Sequence, residues 1–118
     1  MYTLMLSKEL MAASTRPLIL SILKRGESYG YQIIQDVKQL SGGSLEWSDG
    51  MLYPVLHKLQ KEACIQSRWV ISKEGRKRKY YSITEAGIAE LQTAKDQWSS
   101  IHEVLEKIWG PAPQWAAQ

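Results

Sequence analysis

The chain has 118 residues, 44% of them hydrophobic and 23% charged, which is enough apolar material for one domain with a real core. One cysteine, Cys64, and two histidines, His57 and His102, exclude an internal disulfide and a multi-cysteine zinc site. No apolar run reaches the ~18 residues of a membrane span, and MYTLMLSKELMAAS lacks the basic lead and apolar block of a secretory signal, so a cytoplasmic location is the expectation.

The first helical pattern runs from Leu10 to Arg25 and puts Leu18, Ile19, Ile22 and Leu23 on one face. Pro17 interrupts it. Either the helix kinks there, or Thr15 caps a new helix with Pro17 in its first turn. Gly26 ends the pattern. Ser28 is placed to cap a second helix through Tyr31, Ile34, Val37 and Leu40, which Gly42 and Gly43 stop. Leu45 and Trp47 read as a short apolar link onto the core.

Ser48 and Asp49 offer an N-cap and an acidic first turn to a third helix. Leu52, Leu56 and Leu59 recur at helical spacing and face inward. Asp49, Tyr53, His57, Gln60 and Lys61 fall on the outer side. Pro54 removes an internal hydrogen bond, so it is expected within the first two turns.

After Ala63 the period changes to two. Ile65, Ser67, Trp69 and Ile71 share one strand face, and Gln66 and Arg68 the other. Gly75 marks a turn, and Lys79 to Thr84 returns with Tyr81 and Ile83 on its buried side. Two short strands alone are marginal, so the hairpin must lean on the helices. Thr84 caps a last helix that runs to about Trp109, ~37 Å long at 1.5 Å per residue. Leu91, Ala94, Trp98, Ile101, Leu105 and Ile108 follow one another at alternating spacings of three and four, a heptad seam. Gly110 and Pro111 end it, and a flexible tail is expected over 111–118.

The chemistry concentrates between Ser48 and Thr84. The turn from Lys73 to Lys79 carries Lys73, Arg76, Lys77, Arg78 and Lys79 against one acid, Glu74, more than the whole chain's net of +3. A charge confined to one loop points to an anionic partner for that loop; the bland alternative is a solvated turn. Following a helix that can enter a groove, a basic hairpin is how a winged-helix protein holds DNA. The expected fold is therefore mainly α with a small β part: a winged helix-turn-helix over residues 1–84, then a dimerisation helix over residues 85–110.

The candidate DNA contacts are Ser48, Asp49, Met51, Tyr53, His57 and Lys58 on the third helix with Lys73, Arg76, Lys77, Arg78 and Lys79 on the wing. Tyr53 either presents its hydroxyl to a phosphate or packs inward beside Leu52; Asp49 is better suited to capping than to facing phosphate. The apolar seam of the last helix either meets a second copy or folds back on the first helix. Cys64 reads as a small buried hydrophobe and His102 as a solvated side chain. No nucleophilic triad, carboxylate pair or phosphate loop is present, which argues against an enzyme and against a cofactor.

SYGYQIIQDV, GMLYPVLHKLQKEACI and EGRKRKYYSITEAGIAEL together resemble the PadR family of bacterial transcriptional regulators, and the single long C-terminal helix resembles its short, multidrug-responsive subfamily. The resemblance covers nearly everything from Lys8 to Trp109. It implies a homodimer joined through the last helix, a palindromic operator in double-stranded DNA, Tyr53 and the wing cations as DNA contacts, and a repressor. It also implies a cavity at the dimer centre where a planar aromatic effector stacks on Trp98, with Leu10, Ala13, Pro17, Ile101 and His102 at lining positions. The chain departs from the family in three ways. Ala63 and Cys64 replace a glycine and a large aliphatic, predicting a less sharply turned corner. Met51 stands where threonine is common. His102 replaces an acid that helps hold cationic drugs, leaving neutral and anionic aromatics on a par with cationic ones. The rival reading is a winged-helix dimer that binds another protein and not DNA.

Overall fold

Ser7 opens the first helix by accepting the Leu10 N–H at 3.1 Å, and α1 then runs over Lys8–Arg25. The structure, a computed structural model, describes residues 6–110; the tail expected to be flexible, 111–118, lies outside them. Pro17 sits inside α1 without ending it. Thr15 caps nothing: its hydroxyl donates to the Met11 carbonyl at 2.7 Å within the same helix. A proline takes one backbone bond from a helix, and burial of Ile19, Leu20, Ile22 and Leu23 outweighs it.

The next segment departs from the sequence reading. Ser28–Tyr29 is a short strand, β1, and α2 begins only at Gly30 and runs to Leu40 with no side-chain cap. Ser28 pairs with Tyr81 in the sheet, so it cannot serve the helix. The inward face of α2 is Ile33 and Val37 with Ile34 beside them, whereas Tyr31 and Leu40 are exposed. The helix starts one residue later than a Ser28 cap would place it, and its buried stripe is Gly30, Ile33 and Val37, one position back from the Tyr31–Ile34 spacing. Leu45 and Trp47 are buried links, as expected.

Helix α3 spans Asp49–Lys61, with the Ser48 hydroxyl accepting the Met51 N–H at 3.3 Å. Leu52, Leu56 and Leu59 are wholly buried, and Pro54 falls in the second turn. Two further strands, β2 (Ile65–Ile71) and β3 (Lys77–Ile83), form an antiparallel hairpin, and β1 adds to the far side of β3. Only the base of the hairpin is buried, at Ile65 and Tyr81. Trp69 and Ile71, expected on the inward face, are 63% and 66% exposed. They do share that face, but the wing extends beyond the helices that would cover it. Helix α4 spans Glu85–Trp109, and its Thr84 hydroxyl accepts the Gly87 N–H at 3.2 Å.

The corner after α3 is the sharpest local feature. The Cys64 N–H donates to the Leu59 carbonyl at 2.9 Å and the Ala63 N–H to Gln60 at 3.0 Å, the paired bonds that close a helix around a left-handed residue. Gly42 fills that position after α2, but Ala63, at φ 62°, fills it after α3. The expectation of a blunter corner is thus corrected: the buried Leu59 and Cys64 force the full turn on an alanine. Ala63→Gly should relieve that strain and raise unfolding free energy by about 0.5–1 kcal/mol in urea titration.

Candidate nucleic-acid interface

The outer face of α3 and the wing enclose a groove of about 640 Å³. Tyr53 and His57 line it from α3, Tyr29, Gly30 and Tyr31 from the start of α2, and Trp69, Arg76, Lys77, Arg78, Lys79 and Tyr81 from the hairpin. Among the described residues no acidic side chain lines it. Tyr53 stands at the edge of this lining. It is 36% exposed, yet its ring lies against Gly30, where an added Cβ would meet its Cζ at 2.9 Å. A bare backbone at Gly30 therefore lets the ring stand at the groove edge. Burial, and then the neighbouring Tyr53, push the Tyr81 hydroxyl above its ordinary pKa of 10.0, so it stays a neutral donor.

Two cations of the wing lie on aromatic faces. The Arg78 guanidinium lies 4.4 Å from the Tyr29 ring centre, and Tyr29 meets Tyr80 edge-on at 5.3 Å. Lys79 Nζ lies 5.9 Å from the Trp69 ring and 5.7 Å from that of Tyr81. The tip is closed by the Ser72 hydroxyl accepting the Arg76 N–H at 3.1 Å. Arg76 and Lys77 are exposed at this tip, and Lys73 is exposed on the turn but does not line the groove. Ser48, Asp49 and Lys58 are exposed on α3 and Met51 is half-buried; these four also lie outside the groove lining.

A second concavity, about 390 Å³, lies between α1 and α4. It brings Leu10, Pro17, Leu91, Ala94 and Trp98 together. Ala13, Ile101 and His102, expected beside them, do not line it: Ala13 and Ile101 are exposed in the single chain, and His102 pairs with Glu106 at 3.0 Å. The apolar seam divides accordingly. Leu91 is buried against the core, while Ile101 and Ile108 are 60% and 73% exposed.

With this geometry in view, comparison with known proteins is decisive. The family model described as Transcriptional regulator PadR-like matches residues 19–93, from α1 into α4. The chain belongs to the PadR-like family of transcriptional regulators. It is 36% identical over 91 residues to the transcriptional regulator YqjI of Escherichia coli, covering 77% of this chain and 42% of that one. It is 34% identical over 73 residues to the negative transcriptional regulator PadR of Bacillus subtilis, covering 62% and 40%. The chain thus spans about two-fifths of each of these two relatives. Its fold is similar to a transcriptional regulator from Clostridium thermocellum, with a TM-score of 0.79 and 26% identity over 86% of this chain and 96% of that one. The winged-helix architecture agrees with that likeness.

Two features of this PadR-like chain escaped sequence reasoning. The first is the aromatic lining at Tyr29 and Tyr31, hidden because Ser28 was assigned to a cap. The second is a charged bridge. Arg16 of α1 donates Nε to Glu90 Oε2 at 3.0 Å and Nη2 to Oε1 at 2.6 Å, and Nη1 to Glu62 Oε2 at 2.8 Å. One guanidinium thereby ties the end of α3 to α4. The pairing is non-local and leaves no periodic trace. Cys64 Sγ sits 3.6 Å from Glu90 Oε1; burial first, then that carboxylate, push its thiol up, so it stays protonated as a core group. Arg68 similarly bonds Glu27 and anchors the wing to the turn before β1.

The Arg16 hydrogen bond holds the Glu62 carboxyl below its ordinary 4.5. A carboxyl lowered in the folded state stabilises fully above its unfolded value and loses that contribution as pH falls through the folded one. Urea unfolding of the wild type and Arg16→Met should therefore differ most near neutrality and converge at acid pH.

Proposed function

We propose that the chain is a cytoplasmic, sequence-specific DNA-binding regulator, a repressor, acting as a homodimer on a palindromic operator. The observation that carries this reading is the acid-free groove in which Tyr53 and His57 of α3 face Arg76, Lys77, Arg78 and Lys79 of the wing. Helix α3 enters the major groove, where Tyr53, Met51 and His57 lie nearest the bases and Lys58 meets the backbone. The Ser48 cap presents the helix N-terminus to a phosphate, with Asp49 serving the first turn. The wing, Lys73 included, neutralises phosphates and releases their counterions.

The dimer is supported by the apolar seam left uncovered on α4 at Trp98, Ile101 and Ile108, beyond the buried Leu91 and with Ala94 and Leu105 half-buried. Two copies clasped there set two α3 helices about one DNA turn apart. A planar aromatic effector fits the concavity at Leu10, Pro17 and Trp98, and in the dimer Ala13, Ile101 and His102 complete its wall. Such a ligand shifts operator affinity only through a difference in its affinity for two dimer geometries.

In fluorescence anisotropy with duplex from upstream of its own gene, Arg76→Ala/Arg78→Ala, which removes two cations from each wing of the dimer, should bind more weakly and reduce the slope of log affinity against log salt by up to about four. Weak salt dependence in the wild type would favour the protein-adaptor reading. Titration of the protein with planar aromatics should quench tryptophan fluorescence, and Trp98→Ala should bind those compounds at least about tenfold more weakly; undiminished binding would remove the cavity from the mechanism.

A further inference from the structure

A large exposed apolar side chain on the groove belongs to the wing's inner face, and neither the core nor the seam of α4 accounts for it. Trp69 is 63% exposed on β2, directly across from Lys79. Its neighbours on the same face point to its role. Tyr81, one ladder step inward, is buried and neutral, while Ile71, one step outward, is exposed. Lys79 stands between the Trp69 and Tyr81 rings, with its ammonium within 6 Å of both. The strand therefore presents ring, cation, ring along a wall opposite Tyr53.

An indole left in water on the wing forgoes the free energy that burying its ring would contribute. A ring beside a fixed cation and free of nearby acid matches one surface well: deoxyribose, whose apolar face alternates with phosphate along a strand. The lining has the complementary sign, since the side chains surrounding Trp69 are cationic or aromatic. Extended β2 backbone also holds the indole more firmly than a flexible tip would.

We infer that Trp69 is a DNA-contacting residue of this chain, packing its indole on a sugar of duplex DNA while Lys79 neutralises the adjoining phosphate. The inference rests on the DNA-binding reading above and adds to it a sequence-independent apolar clamp. The contact reads no base, so it strengthens binding to operator and unrelated duplex alike. It involves no ion, so it leaves the salt dependence to the wing cations.

The test is oxidative footprinting of the full chain, with and without saturating duplex, followed by mass spectrometry of the peptide carrying Trp69. Protection of Trp69 by duplex is expected; equal oxidation in the saturated complex overturns the inference. Trp69→Thr, which keeps a residue of high strand propensity at that position, should bind operator and random duplex about tenfold more weakly with an unchanged salt slope, and Trp69→Phe should recover most of the loss. Full affinity in Trp69→Thr, or a loss confined to the operator, also overturns it. A wild type that binds no duplex at low salt defeats the DNA-binding reading itself, and is told apart by the absence of any complex to footprint.

Discussion

The structure depends on one close approach. Gly87, in the first turn of α4, lies so near the corner after α3 that an added Cβ would collide with the Cys64 carbonyl and come within 2.7 Å of Ile83 Cγ1. The Thr84 hydroxyl donates to the Ala63 carbonyl at 2.6 Å, and the Thr84 N–H to Cys64 at 3.0 Å. Arg16 then bridges Glu62 and Glu90 across the same junction. Backbone contact, two hydrogen bonds and an ion pair therefore join the helix that faces the groove to the helix that carries the apolar seam. Close packing transmits displacement, because a filled interior has no slack to absorb it.

This junction gives the proposed regulation a physical route. Pro17 lines the concavity between α1 and α4, and its neighbour Arg16 holds both Glu62 and Glu90. A ligand that parts α1 from α4 must stretch the two Glu90 bonds or carry the end of α3 along. The groove side is stiffened separately: Arg68 anchors the wing to Glu27, and Arg78 stacks on Tyr29. These two contacts tie the wing to β1 and the turn before it.

Much of this was legible from residue order. The leucines of α3 fall at helical spacing and are all buried; Ser48 and Thr84 cap the helices assigned to them; and the basic turn lies where Gly75 reverses the hairpin. These features are local, and each depends on side chains within a few positions of one another. The PadR motifs were also legible, because their residues are contiguous.

Other features depended on chain segments far apart. Ser28 became a strand because Tyr81 offers it a ladder, so α2 starts later, and packing of Ile33 and Val37 in the core sets its inward face. Trp69 has the alternation of a core residue but stands beyond the reach of any helix. Ala63 takes a glycine's conformation because Leu59 and Cys64 on either side must both be buried. Periodicity and turn chemistry state which faces are apolar and where the chain bends, since those are properties of neighbours in sequence. Only packing in three dimensions decides which apolar face finds a cover and which is left for a partner, because cover is supplied by residues that no local pattern names.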